Sequence, residues 1–427
     1  MTSRRSPLIT KLSRVLGPGL LTGAADDDPS GIATYSQSGA QLGYTLCWTM
    51  FLTTPFMVAI QIVSARIGSV TGRGLAANLG AVLPRPLVFT IIVLLTAANV
   101  VNIAADIAAM AAAMQLLVGG PAPLYALCFG IICLSAQIAI PYRPYAQYMK
   151  FLTLVLFAYV VTALVVHVPW NDVLLATLIP HLSWTRDAIL MLVAVLGTTI
   201  SPYLFFWQAS LEVEERRIKE RRKAAPLKND DASARRRFGP IVVDTWIGMV
   251  LSNVIGFFII VATAATLHAH GTTTIDTAAS AAEALRPLAG ELAFLLFAIG
   301  IIGTGLLAIP ALAGSAAYAV AEAFGWKSSL GLAPWRAQGF YVIIAAATLL
   351  GSFGALLPIN PIRMLVWSAV FNGIVAVPLM AGMMVVVTSR KIMGTFAASR
   401  LLAGFGWLAT LFMGAVVAAF FLASIIG

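Results

Sequence analysis

The sequence predicts an all-α polytopic membrane protein, and three observations carry that prediction. The chain is 60% hydrophobic and only 10% charged, whereas a soluble domain carries roughly a quarter charged residues. Its mean hydropathy is +0.91. Apolar runs of about 20 residues, the length that crosses a bilayer, recur from end to end and lack the alternation of barrel strands.

Eleven spans make up one membrane domain over residues 1–427. Span one (about 15–40) follows Arg4, Arg5, Lys11 and Arg14. Span two (about 44–70) and span three (about 87–118) flank a connection marked by Arg66, Arg73 and Arg85. Span four (about 121–141) and span five (about 148–168) flank Arg143 and Lys150. Span six (about 186–211) and span seven (about 239–269) are joined by a basic connection, about 212–238, holding ten Lys and Arg. Span eight (about 288–324) precedes Lys327 and Arg336, which lead to span nine (about 337–358) and span ten (about 361–388). Arg390, Lys391 and Arg400 precede span eleven (about 401–426). With a cytoplasmic N-terminus, 24 of the 27 basic residues face the cytoplasm, leaving Arg186, Arg286 and Arg363 outside. That asymmetry is the positive-inside pattern, and one miscounted helix would scramble it.

The net charge of +10 therefore reads as topology-setting rather than as a nucleic-acid surface. A multi-pass cell-membrane location is expected, with the lipid bilayer and no nucleic acid as partner. MTSRRSPLITKLSR runs straight into span one with no cleavable signal pattern. Cys47, Cys128 and Cys133 are scattered through spans and read as core packing. No nucleophile elbow, phosphate loop or His/Cys/Asp metal cluster is present, so an enzyme is not expected and no cofactor is called for.

Few acids enter the membrane. Asp244 and Glu322 sit near the basic side and read as interfacial, whereas Asp106 lies in mid-span among apolar neighbours. Asp26, Asp27 and Asp28 in GAADDDPSGIATYS pose a sharper problem, because a carboxylate at bilayer depth costs about 2.5 kcal/mol or much more. Pro29 disfavours helix at Asp28, so the incoming helix ends near Asp27 or Asp28. Free carbonyls and a partial negative charge collect at such an end. No Lys or Arg lies within reach in spans one, three or six, so the simplest counter-charge is a metal ion. Span six carries a second break, LGTTISPYLFF, with Gly197 and Pro202. Paired broken helices in corresponding positions of two halves point to a midplane site in an inverted-repeat transporter.

These segments resemble the Nramp divalent-metal transporters. LGPGLLTGAADDDPSGIATYSQSGAQLGY is similar to that family's first span, with its Asp-Pro-Gly-Asn signature, and span six to its Ala-Thr-Val-Met-Pro-His segment. DTWIGMVLSNVIGFF with TLHAHG, containing Asp244 and Asn253, resembles span seven, and FAIGIIGTGLLAIPALAGSAAYAVAEAF resembles span eight. The resemblance implies a LeuT-type fold: two inverted five-helix repeats, about 15–168 and about 186–388, plus an eleventh helix at about 401–426. It also implies a metal site at Asp28, with Thr198 offering its backbone carbonyl and Asp106 serving as a possible charge relay.

The sequence departs from that pattern at informative positions. Gly31 replaces the Asn, Ser201 the ligating Met, and Tyr203 the His. Ala109 stands where a second acid is found in span three, and Gln208 replaces a further His. A thioether favours soft ions, so Ser201 leaves an all-oxygen site. Gly31 makes room for waters, which Mg2+ gives up reluctantly. This pattern resembles the Nramp-related magnesium transporter branch. Weaker candidates at the site are Asn372, Asp27 and Asp26. With histidine, the side chain that switches near neutral pH, displaced from the site, the expectation is Mg2+ and Mn2+ transport by alternating access with weak or no proton coupling. The alternative is a proton-coupled Mn2+/Fe2+ carrier. A Na+-coupled amino-acid carrier fits poorly, because three acids at the break repel a substrate carboxylate.

Overall fold

A computed structural model describes residues 17–141, 144–145, 151–220 and 231–426, without the side chains of 218–220, 231–237 and 426. Arg4, Arg5, Lys11, Arg14, Arg143, Lys150 and most of the basic 212–238 connection lie outside the described side chains. Among the described residues, eight helices are long and apolar enough to cross a membrane, corresponding to spans two, three, four, six, seven, eight, ten and eleven. Span five is the first arm of a pair, Phe151–Val165 and Trp170–Leu178, bent by 118° after His167. The second arm was not expected. Gln338–Gly354 is span nine, and the broken pair Pro18–Asp26 and Pro29–Leu42 is span one.

Boundaries follow local chemistry. Span ten runs Pro361–Thr388, with the Asn360 side chain accepting from the amides of Ile362 and Arg363 and Pro at the first helical position. Span two ends at Gly72 with φ +67°, the left-handed cap that glycine adopts without strain. The basic connection is more helical than a loop. Span six continues as Pro202–Glu220, and the helix of span seven starts at Asp231. Strong helix formers and closely spaced Glu and Arg/Lys residues in EVEERRIKE support that extension.

Close backbone approaches seat both broken spans. The first half of span one lies against span seven backbone to backbone: a Cβ on Gly23 would sit 2.4 Å from the Gly248 carbonyl. Span two lies as closely against the second half of span six, where a Cβ on Gly68 would sit 2.3 Å from the Ala209 carbonyl oxygen. Small residues let helices approach closely where lipid offers no hydrophobic drive for association. The breaks match too, because each second half begins with proline, Pro29 and Pro202.

Two acids read as interfacial have structural partners. Asp244 accepts from the amides of Gly17 and Gly19 at 3.3 and 2.7 Å, capping the start of span one from another helix. Glu322 is placed at Gly74 and Ala77, where the short helix Leu75–Leu79 begins. The core-packing reading of the cysteines holds for Cys47 and Cys133, but Cys128 is exposed on span four. In a membrane the outward face is apolar as well, so composition does not separate it from the core.

Candidate functional site

The site lies where the two broken spans meet. The first half of span one ends at Asp26 with Asp27 as its C-cap, and the second half begins at Pro29 with Asp28 as its N-cap. Asp28 is therefore better placed than the sequence implied. Its Oδ1 accepts from the Gly31 amide at 2.7 Å, so a helix N-terminus meets part of its charge. Its Oδ2 accepts from Asn102 Nδ2 at 3.0 Å. Asp26 and Asp27 remain at the unfavourable C-terminal end. The Ser252 hydroxyl of span seven lies 2.5 Å from Asp26 Oδ2 and 2.9 Å from Asp27 Oδ1, and its single hydrogen can serve only one at a time. Asp26 Oδ1 has no hydrogen-bond partner. No ion pair among the described residues neutralises these acids.

Span six faces this break with its own. Its first half ends at Thr199, and the Ser201 hydroxyl turns back onto the carbonyls of Gly197 and Thr198, at 3.0 and 2.8 Å. The Thr198 carbonyl is thus already one acceptor short of free, while Ser201 keeps its oxygen lone pairs. Tyr203 donates its hydroxyl to the Ala25 carbonyl at 2.8 Å, and Tyr35 lies 3.3 Å from Thr199 Oγ1. Gly31 completes the junction: a Cβ there would stand 3.1 Å from Thr198 Oγ1 and 3.5 Å from Asp28 Oδ1. Asp28, Gly31, Thr198, Ser201 and Tyr203 are therefore gathered at one junction.

Asp106 is fully buried, and neither carboxylate oxygen has a hydrogen-bond partner. Its surroundings are not purely apolar. Asn102 lies one turn before it, and such i, i+4 neighbours share a helix face. Asn372 is buried with its Oδ1 unpartnered, one turn beyond Ser368, so that oxygen makes no helix–helix bond. Among the described residues, no three His, Cys, Asp or Glu side chains converge as a metal cluster. The junction instead gathers mixed oxygens: carboxylates, backbone carbonyls and hydroxyls.

Sequence reasoning missed Asn102, Ser252, Ser368 and Ser30. Ser368 donates to Asn102 Oδ1 at 2.7 Å and lies 3.1 Å from Ser30 Oγ. The spacing of Asn102 to Asp106 and the dipeptide Ser252-Asn253 were available signals. Asn253 itself bonds Thr54 at 2.7 Å, away from the junction. The histidines also lie elsewhere, His268 Nδ1 at the Ala40 carbonyl and His270 Nδ1 at the Thr266 carbonyl.

A vestibule of about 620 Å³ leads toward the junction. Its walls include Ala33, Ala108, Ala109, Ala112 and Leu365, and its mouth the 275–279 and 355–361 connections. These lie opposite the basic connections. At the basic side the helices are fastened: Arg216 Nη1 donates to the Ser69 carbonyl at 2.6 Å, and Glu214 receives the Tyr318 hydroxyl and the Leu330 amide.

Broken helices in paired halves, a buried polar junction and access from one face define a LeuT-type membrane transporter. The fold is shared with the manganese transporter of Eremococcus coleocola, at TM-score 0.75 and 16% identity over 97% of this chain and 87% of that one. A nucleobase-cation-symport-1 family transporter in a closed conformation gives 0.55 at 14% identity, over 96% and 93%. The divalent metal cation transporter MntH of Erwinia tasmaniensis is 27% identical over 306 residues, 68% of each chain. The sequence profile of the natural resistance-associated macrophage protein-like (Nramp) family matches residues 19–423. The chain belongs to the Nramp family. Its relatives are named as transporters, which sets it among transport proteins rather than enzymes.

Proposed function

We propose that this chain carries divalent cations across the cell membrane by alternating access, accepting Mg2+ as well as Mn2+, with weak or no proton coupling. The donor pattern resembles that of the Nramp-related magnesium transporter branch. The N-terminus and the basic connections face the cytoplasm in this reading. The observation that carries it is the donor set at the junction: the Asp28 carboxylate, the Ser201 hydroxyl and backbone carbonyls, with no side chain at Gly31 to enter between them. Hard oxygen donors suit Mg2+, whereas a thioether would select softer ions. Asp28 is the principal ligand, Ser201 and the Thr198 carbonyl lie beside it, and Tyr203 braces the two breaks. Asp26 and Asp27 add negative field from the adjoining helix end.

A second reading, a proton-coupled Mn2+/Fe2+ carrier, is favoured by Asp106, a buried carboxyl free of hydrogen-bond partners on which a proton could ride. Proteoliposome uptake of Mg2+, Mn2+ and Ca2+, with a lumenal pH dye, separates the two. Uptake of Mg2+ and Mn2+ lost in Asp28→Ala, without acidification, supports the first reading. Lumenal acidification in proportion to metal uptake overturns it, and unchanged uptake in Asp28→Ala removes the site assignment.

A further inference from the structure

Both oxygens of the Asp28 carboxylate are held, but by different kinds of partner. Oδ1 is tied to the Gly31 amide of its own helix, whereas Oδ2 depends on Asn102, 74 residues away on span three. An amide can face either way. Here its orientation is set chemically: the carboxylate only accepts and so takes Nδ2, which turns Oδ1 toward the Ser368 hydroxyl of span ten, 2.7 Å away. A flipped amide would set oxygen against oxygen. The single Ser368 hydrogen can go to Asn102 Oδ1 or to its own-turn Leu365 carbonyl, both at 2.7 Å; Ser30, 3.1 Å from Ser368, already donates to that carbonyl at 2.9 Å, which favours Asn102 as the acceptor. Asn102, Ser368 and Ser30 are all buried. Leu365 also lines the vestibule, so the chain of contacts runs from the carboxylate to the vestibule wall.

We propose that Asn102 and Ser368 are positioning residues for the Asp28 carboxylate, Asn102 directly and Ser368 by orienting Asn102. A carboxylate held by two donors keeps its remaining lone pairs aimed in a fixed direction, which lowers the reorganisation needed to bind an ion. Without Asn102 the carboxylate rotates about the Gly31 contact. Span ten thereby influences the ion site without supplying a ligand. The inference rests on Asp28 being the ion ligand.

The test is calorimetric titration of Mn2+ into the purified full-length protein. Asn102→Leu keeps the branched heavy-atom shape, with somewhat larger methyl groups, and removes the donor. It is expected to weaken Mn2+ binding about 10-fold, the scale of a lost hydrogen bond to a charged group. Ser368→Ala is expected to weaken binding about 3-fold alone and no further in the Asn102→Leu background, because it acts through Asn102. Ser368→Thr, which keeps the hydroxyl, restores binding. An Asn102→Leu protein within about 2-fold of wild type, or losses that multiply in the double variant, overturns the proposal. Where Asn102→Leu does not fold, Asn102→Ala is judged by the same thresholds. Asp28→Ala keeps the two readings apart: retained Mn2+ binding there discards the ligand assignment itself. Lost binding in Asp28→Ala with an unaffected Asn102 variant discards only the positioning role.

Discussion

The phenol of Tyr203 donates a 2.8 Å hydrogen bond to the carbonyl of Ala25, fastening the start of one half-helix to the end of another. The carbonyls at a broken helix end have no partner within the helix, and this bond satisfies one of them from the opposite repeat. Tyr203→Phe removes the hydroxyl and keeps the ring. It is expected to destabilise the protein by about 1 kcal/mol, the net worth of one hydrogen bond. Because the two breaks are then free to separate, maximal Mn2+ uptake falls. A thermal-unfolding assay beside proteoliposome uptake checks both, and unchanged uptake would argue that the breaks hold each other without this contact.

Gly31 sits where any side chain would enter the junction. In Gly31→Ala the new Cβ lies 3.1 Å from Thr198 Oγ1, so the threonine must shift by a few tenths of an ångström. The variant is expected to fold. It loses Mg2+ uptake more than Mn2+ uptake, because Mg2+ retains more of its water and needs the space. Equal losses for the two ions would contradict the role given to the missing side chain.

Ser201 sets the softness of the site. In the wild type, excess Mg2+ is expected to suppress Mn2+ uptake. Ser201→Met introduces a thioether and should make Mn2+ uptake, and Cd2+ uptake even more, resistant to Mg2+. The competition curve is the measurement, and an identical curve for the two proteins would sever ion choice from this position.

The vestibule predicts the side of access. Ala112 lines it, while Cys47 and Cys133 are buried and Cys128 is exposed on span four. In a Cys128→Ser background, Ala112→Cys should react with a membrane-impermeant thiol reagent added from the side opposite the basic connections. Reagent added to the basic side should not reach it, because Arg216, Glu214 and their partners close that face. Labelling from the basic side alone would reverse the orientation.

Much of the scaffold was legible because its signals are local. Span ten was expected at about 361–388 and runs Pro361–Thr388, and the break in span one fell at Asp27 as Pro29 demanded. What escaped depends on partners distant in sequence or on the phase of a helix. Asp28 read as a charge stranded at a helix end, yet it caps the start of the next helix by accepting from the Gly31 amide, and Asn102 reaches it across 74 residues. The spacing of Asn102 to Asp106 puts the two on one face, but nothing local says that Asn102 rather than Asn99 reaches span one. Asp244 read as interfacial because its role, capping Gly17 and Gly19, requires span seven to be placed against span one. Cys128 read as core because lipid-facing and protein-facing residues of a span are equally apolar.

The central claim is that an ion sits between the breaks of spans one and six, held by Asp28. Anomalous diffraction from Mn2+-soaked crystals locates the ion without assumption. The account predicts one strong peak within about 2.5 Å of an Asp28 oxygen, a distance set by oxygen coordination, with Ser201 and the Thr198 carbonyl around it. A peak at Asp106 or in the vestibule with Asp28 still bonded only to Gly31 and Asn102, or no peak at the junction, would contradict it.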